Sequence, residues 1–261
     1  MMRLTLTPLL LLAWMIAPAL AQDGAQTIEN KWLKVSLDMA TGKFTITPKR
    51  SNGTNRIEGQ LTAGGRLEPT IKSSAIVNKL VSKDGDESIF LIRRPNEWQD
   101  RLTVHKDSPF VWVFSSRRNP DKEPVTIHDV RPVRFDIDLG KPTSEMKTFG
   151  TGGLHDPGKS PGSYMWMAVV EPKSRRGVVA GWVTHKKGSG VIFNEKSTDA
   201  NRVALVPAVE FGAARIEPGS SLETEEFVIA PFDDARLGLE AWPGLFKLCQ
   251  RKGPQFTYKV F

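Results

Sequence analysis

The chain has 261 residues, a formal net charge of +7 and a single cysteine. Its Lys and Arg residues occur as scattered doublets rather than in an arginine-rich helix, so we expect no nucleic-acid partner. One cysteine cannot form an internal disulfide, so the fold must depend on its hydrophobic core.

The first 21 residues have the features of a signal peptide. Arg3 supplies a positive start, residues 9–16 are apolar, and residues 19–21 fit a cleavage site. The apolar run is too short for a transmembrane helix, which needs about 20 apolar residues. We therefore expect an exported chain, periplasmic or extracellular, that begins near Gln22 after cleavage and has no stable membrane span.

Most of the chain from residue 30 onward has the pattern of β-strands. A predicted hairpin has arms at residues 32–37 and 43–47, with a turn at Gly42. Residues 110–114 are apolar on both faces, so we expect that strand to be covered on both sides. Further strands are predicted at residues 75–81, 88–93, 110–115, 125–139, 164–170, 177–184, 190–194, 202–209 and 222–229. The pattern predicts an all-β fold, a large antiparallel β-sandwich over residues 30–231.

Residues 232–261 are predicted to form a truncated helical connector and a tail. Asp233 can cap a helix, and apolar residues follow at Leu237, Leu239 and Leu245. The pair at residues 243–244, Pro-Gly, is expected to end or kink this short helix.

Three patterns that could indicate chemistry each lack a required part. Residues 158–162 match the G-x-S-x-G motif, but Pro161 follows Ser160 and has no N–H for an oxyanion hole. Residues 150–153 are glycine-rich without the third glycine and the helix of a dinucleotide site. The four histidines form no metal-binding pair. We therefore predict no catalytic residue, no metal and no cofactor.

Aromatic and polar residues in and after the irregular stretch 150–163 suggest a carbohydrate-binding surface. Flat rings can cover the apolar C–H faces of a sugar while polar neighbours bond its hydroxyl groups. We expect Tyr164 and Trp166 to share one strand face. Burial in the core is the alternative for Trp166 and Trp182, and an internal hydrogen bond is the alternative for the two histidines. The candidates are His155, Asp156, Tyr164, Trp166, Trp182 and His185.

Five segments together resemble a known family. The segments are FGTGGL at residues 149–154, PGSY at 161–164, RGVVAGWVTH at 176–185, GSGV at 188–191 and FDDARLGLE at 232–240. They resemble the N-terminal β-sandwich of bacterial α-galactosidases of the melibiase group, glycoside hydrolase family 36 and its relatives. The resemblance covers roughly residues 30–245 and implies a supersandwich of the galactose-mutarotase-like type.

The resemblance implies a sugar-related role but transfers no catalytic residue. In that family a (β/α)₈ barrel follows the sandwich and carries the two catalytic aspartates, and this sequence contains no such barrel. We therefore expect an exported, non-catalytic domain that binds a galactoside or another carbohydrate. Two alternatives stay open: a fragment or subunit of an α-galactosidase whose barrel lies on missing sequence or on a separate chain, and a structural domain without a ligand.

Overall fold

Alternating apolar and polar residues build two antiparallel sheets in the computed structural model of this chain. The structure describes residues 25–38, 41–49, 55–62, 76–94, 97–159, 162–195 and 197–251. These ranges contain nineteen β-strands, one 3₁₀ helix (Thr143–Glu145) and one α-helix, α1 (Ala235–Arg251). The expected signal peptide lies outside the described residues, as do residues 252–261 of the expected tail.

The strands divide into a nine-stranded and a ten-stranded sheet. In spatial order the nine-stranded sheet contains β1 (Ala25–Glu29), β2 (Leu33–Asp38), β3 (Lys43–Pro48), β4 (Arg56–Leu61), β10 (Val133–Asp138), β17 (Arg202–Ile216), β16 (Ser189–Glu195) and β13 (Ser163–Tyr164), with β9 (Val125–Val130) also paired to β17. The ten-stranded sheet contains β12 (Gly153–His155), β11 (Lys147–Gly150), β14 (Trp166–Val170), β15 (Gly177–Trp182), β19 (Phe227–Phe232), β8 (Val111–Arg118), β7 (Trp98–His105), β6 (Glu87–Arg93) and β5 (Ile76–Val81), with β18 (Ser221–Glu223) paired to β8. The predicted all-β antiparallel sandwich is confirmed. Its first strand begins at Ala25, before the expected boundary at residue 30.

Aromatic rings connect the two sheets through the core. Phe44 on β3 meets Phe135 on β10 with ring centroids 6.0 Å apart, and Phe135 stacks on Phe227 of β19 at 5.8 Å. Phe227 in turn meets Trp182 of β15 at 5.0 Å. All four side chains are at most 1% exposed. The large side chains predicted by the strand pattern therefore form one continuous core between the sheets.

One glycine makes room for the largest of these side chains. A Cβ atom on Gly190 would lie 2.4 Å from Cδ1 of Trp182, so β16 can pass the indole only because residue 190 has no side chain. The indole Nε1 of Trp182 donates a hydrogen bond to the carbonyl oxygen of Val191 at 3.2 Å. This hydrogen bond thus compensates the free-energy cost of burying the indole N–H.

Three predicted strands are broken, two of them at a residue with a physical reason. The predicted strand 125–139 is two strands, because Pro132 at the break cannot donate a strand hydrogen bond. The predicted strand 222–229 is β18 and β19, separated by residues 224–226. The predicted strand 164–170 breaks at Met165, whose φ of 68° turns the chain from one sheet to the other.

That break corrects the expected face shared by Tyr164 and Trp166. Tyr164 pairs with Val191 in the nine-stranded sheet, whereas Trp166 pairs with Gly181 in the ten-stranded sheet. The prediction that the two rings lie on one strand face was wrong, because a single residue with positive φ separates them. The stretch expected to be irregular contains β12, which forms a short hairpin with β11.

Helix α1 lies on the outer face of the ten-stranded sheet and continues past Pro243 to Arg251. The predicted C-terminal helix is confirmed, and of the two outcomes predicted for Pro243, an end or a kink, the helix does not end there. Trp242 and Leu245, on either side of it, are buried against the sheet, while Pro243 itself is exposed. Packing on both sides of the proline therefore outweighs the hydrogen bond that it removes. Among the described residues, no helix is both long and apolar enough to cross a bilayer.

Residues 110–113 are buried, as predicted, whereas Phe114 is only half-buried. Val111 and Val113 belong to the core between the sheets, whereas Phe110 and Trp112 belong to the cluster under α1. The helix thus covers part of the outer face of the ten-stranded sheet and leaves the part made by β5–β8 uncovered.

Candidate functional site

The uncovered part of the ten-stranded sheet forms a cleft of about 850 Å³. Its floor is the outer face of β5–β8, and its walls are residues 184–187 and 223–226. Strand alternation explains the floor: on β7, Leu102 and Val104 point into the core, so Arg101, Thr103 and His105 point into the cleft. Every second residue of β6 and β8 faces it in the same way.

Cross-strand pairing arranges the floor in four rows. The two outer rows are charged or polar, and each of the two inner rows has one polar or charged side chain between apolar ones. From one end to the other they are Glu87 and His105; Ile89, Thr103 and Trp112; Leu91, Arg101 and Phe114; and Arg93, Gln99 and Ser116.

The first row holds an imidazole–carboxylate pair. Nδ1 of His105 lies 3.3 Å from Oε1 of Glu87, and the His105 ring meets Trp112 edge to face at 5.1 Å. The Glu87 side chain is 6% exposed and that of His105 is 21% exposed. The carboxylate therefore orients the ring, and Nε2 is the nitrogen that can serve a ligand.

The third row holds a guanidinium–carboxylate pair. Nη2 of Arg101 donates to Oε1 of Glu226 at 2.9 Å, and the guanidinium carbon lies 4.7 Å from the Phe114 ring centroid. Both charged side chains are about one-fifth exposed. This pair presents a hydrogen-bond donor and an acceptor together at a fixed place in the cleft.

A buried carboxylate fixes one wall of the cleft. Oε1 of Glu225 accepts hydrogen bonds from the backbone N–H groups of Lys187 and Gly188, the latter at 3.1 Å, and Glu225 is 2% exposed. The backbone N–H of Glu226 donates to Oγ1 of Thr184 at 2.8 Å. Residues 184–188 are thus attached to residues 224–226, so the wall is held in place.

The six residues predicted as sugar ligands lie outside this cleft. His155 Nε2 lies 3.0 Å from the carbonyl oxygen of Gly152, which is the internal contact considered as its alternative. Asp156 bonds the ammonium of Lys147 at 2.5 Å and that of Lys159 at 3.3 Å. These bonds, above all that from Lys147, hold the pKa of Asp156 below its usual value. Both residues are engaged within their own hairpin.

The four other predicted residues do not form one cluster. Trp182 is fully buried, which places it in the alternative core role. Tyr164 is 61% exposed on the opposite sheet. Trp166 is half-buried with its ring 6.4 Å from that of Trp242, and His185 is exposed with its ring 6.2 Å from that of Phe246. Of these, His185 lies nearest in sequence to the cleft, between the wall residues 184 and 186.

The cleft residues carry a signal that sequence reasoning missed. Alternation along residues 99–105 places Gln99, Arg101, Thr103 and His105 on one strand face, a polar face that contrasts with the buried one. What a single sequence does not give is the register that sets Trp112 beside Thr103. Among the described residues, no three His, Cys, Asp or Glu side chains gather as metal ligands.

Comparison with known proteins shows the fold. No family model matches the sequence, and no curated protein matches it. A galactose mutarotase related enzyme from Lactobacillus acidophilus is 11% identical with a TM-score of 0.55, over 80% of this chain and 97% of that chain. An α-N-acetylgalactosaminidase from Bifidobacterium bifidum, complexed with GalNAc, is 9% identical with a TM-score of 0.58, over 87% and 39%.

A GH36 α-galactosidase from Geobacillus stearothermophilus, in complex with raffinose, is 10% identical with a TM-score of 0.55, over 81% of this chain and 41% of that chain. The chain therefore spans about two-fifths of the length of the two glycosidases and nearly all of the mutarotase-related enzyme. At these identities the likeness concerns the fold alone. The chain has a galactose-mutarotase-like β-sandwich.

Proposed function

We propose that this chain is a non-catalytic β-sandwich domain that binds carbohydrate in the cleft over β5–β8. The observation that carries the proposal is the pair of fixed polar centres, His105 with Glu87 and Arg101 with Glu226, on one accessible floor. Sugar hydroxyl groups donate and accept hydrogen bonds, and each centre offers both functions. Phe114, which is half-buried beside Arg101, supplies apolar surface for sugar C–H groups.

The charge of the cleft favours a neutral sugar. Its lining contains five Lys or Arg and six Asp or Glu side chains, so the positive charge of the whole chain is not concentrated there. A cleft for an anionic glycan would present an excess of cations. Among neutral sugars, galactose, GalNAc and raffinose are the first to test, because the names of the similar structures concern these sugars.

Titration with these three sugars, followed by tryptophan fluorescence and calorimetry, tests the proposal. We expect saturable binding by the wild-type chain and at least tenfold weaker binding of raffinose by Arg101→Ala. The matched control is Arg215→Ala, which removes an exposed arginine paired with Glu217 and should bind as the wild type does. Absence of saturation at about 50 mM, far above the ~1 mM that ~4 kcal/mol of binding free energy gives, would remove the proposal.

Enzyme assays on the purified chain test the proposal that it is not catalytic. We expect hydrolysis of an aryl galactoside and the mutarotation of galactose to proceed at background rates with the purified chain. A rate increase that is lost in His105→Ala would replace the binding role with a catalytic one, since His105 is the cleft residue best suited to proton transfer.

A subunit role beside a separate barrel chain is the second candidate, and an exposed apolar cluster favours it. Phe149, Leu154, Tyr164 and Met165 are 37–61% exposed around the β11–β12 hairpin and the β13–β14 break. A partner would cover such side chains. A neighbouring reading frame that encodes barrel strands with paired aspartates, and galactosidase activity that Leu154→Asp abolishes in the mixture, would support this role.

We also propose that the chain is exported. The apolar run and the cleavage pattern of residues 1–21 support it. Sequencing the amino terminus of the protein from its native host should give Gln22 as the first residue. A chain that keeps residues 1–21 would contradict export by this route.

A further inference from the structure

The two polar centres of the cleft lie too far apart along β7 to serve one sugar ring. Arg101 and His105 are four residues apart on the same strand face, which separates their Cα atoms by about 13 Å. The full floor, from the row of Glu87 to the row of Arg93, is about 20 Å long by the same rise per residue. We infer that the cleft binds an oligosaccharide of two or more linked units, an inference that rests on the proposed function.

A single hexose does not span this length. With single bonds of about 1.5 Å, opposite hydroxyl oxygens of a pyranose lie about 5.5 Å apart. A hydrogen bond of about 2.8 Å at each end extends the reach to about 11 Å. A monosaccharide therefore engages one centre, whereas a linked second unit reaches the other.

The contacts of the two side chains hold them at different parts of the cleft. Arg101 is directed to Glu226 on the wall at residues 223–226, and its guanidinium lies over Phe114. His105 is held by Glu87 in its own row and by its contact with Trp112. Each centre would have to break its own ion pair to approach the other, so the two act as separate subsites.

The floor between the centres fits the middle of such a ligand. The intervening row contains Ile89, Thr103 and Trp112, which are at most 7% exposed and form a closely packed floor beneath the cleft. A volume of about 850 Å³ lies near the upper end of the ~300–1,000 Å³ found for drug-sized ligands, which are larger than a hexose of about twelve non-hydrogen atoms. The cleft thus has room for more than one sugar unit.

A chain-length series on the intact protein tests the inference without any mutation. The probe is an immobilised panel of neutral glycans from one to six units, followed by calorimetry with the tightest glycan and its shorter fragments. We expect at least tenfold tighter binding for two or more units than for the corresponding monosaccharide. Equal affinity for the monosaccharide would overturn the inference and leave the proposed function standing. Binding of no glycan would remove both.

Two variants then test whether both centres are used. Arg101→Ala and His105→Ala should each weaken binding of the longer glycan at least tenfold, and Arg215→Ala should not. A loss confined to one of the two variants, with both folded by circular dichroism, would show that a single centre suffices and would contradict the inference.

Discussion

The charged side chains on the outer faces of the two sheets are arranged in different ways. On the nine-stranded sheet, Arg202 of β17 bonds Glu58 of β4 at 2.6 Å, and Arg134 of β10 bonds Glu195 of β16 at 2.7 Å. Each pair reaches across one intervening strand, so the charges of this face bond to one another. On the ten-stranded sheet, charged pairs lie at the floor of a cleft with walls around them.

The comparison teaches that ion pairs alone do not mark a binding site. Both faces hold Arg–carboxylate pairs of similar length, with side chains roughly 15–40% exposed. The difference lies in what surrounds them: the nine-stranded face also has an aromatic ring, Phe193, beside Arg131, whereas the second face has a wall attached through Glu225. Enclosure, rather than charge, distinguishes the candidate site within the described part of the chain.

The largest expected effect concerns the core that both sheets share. Trp182→Ala should lower the free energy of unfolding by about 3–5 kcal/mol, because a fully buried indole is replaced by a cavity. Urea unfolding measures the loss. Glycan binding by the fraction that stays folded should persist. If Trp182 were instead a platform for sugar, stability would barely change and binding would be lost.

The second prediction uses an ion pair that the ten-stranded sheet buries on its core side. Asp100 is 0% exposed, Nε of Arg94 lies 2.8 Å from its carboxylate, and Ser115 donates a hydrogen bond to it at 2.5 Å. Burial raises the pKa of Asp100 to about 6 from its ordinary 3.8, although Arg94 and Ser115 act in the opposite direction. Between about pH 4 and pH 6 the folded chain therefore binds more protons at this site than the unfolded chain does.

The contribution of Asp100 to the free energy of unfolding should therefore fall as the pH rises through that window. A difference of about two pKa units corresponds to roughly 3 kcal/mol. Urea unfolding of the wild type and of Asp100→Asn across pH 4–7 measures this effect. We expect the free energy of unfolding of the wild type, relative to that of Asp100→Asn, to decline as the pH rises. Parallel curves would contradict the raised pKa.

The third prediction tests how closely the sheets approach each other. Gly190→Ala places a methyl group 2.4 Å from the Trp182 ring, and we expect a loss of about 1–3 kcal/mol from overpacking. Thermal unfolding measures it. The matched control is Gly152→Ala, whose added methyl group has its nearest neighbour at 3.6 Å and which should cost less stability. Gly85→Ala is unsuitable as a control, because Gly85 has a φ of 74°.

The smallest effect is expected on the outer face of the nine-stranded sheet. Arg202→Ala should change the free energy of unfolding by less than about 1 kcal/mol, since partly exposed ion pairs contribute little. It should leave glycan affinity unchanged, in contrast with Arg101→Ala. Calorimetry on both variants checks the contrast, and a weaker affinity in Arg202→Ala would place ligand contacts on the wrong sheet.

Strand alternation predicted most of the sandwich, and local exceptions explain the rest. Sequence could not give the positive φ of Met165, which sends Tyr164 and Trp166 to different sheets, because Met rarely adopts that conformation. It could not show that Trp242 anchors α1 beyond Pro243. The cleft was missed because its parts come from three distant segments, and their register depends on the folded core rather than on local pattern.

Chemical-shift mapping by NMR, with the glycan that binds most tightly, tests the central claim most directly. The Trp112 ring lines the cleft with its indole N–H buried, whereas the Trp166 ring lies beside helix α1 and the Trp182 ring lies in the core. We predict that the Trp112 signal moves in proportion to saturation and that the other two stay in place. A shift of the Trp166 signal with Trp112 unchanged would contradict binding in the cleft and would indicate a site near the β11–β12 hairpin.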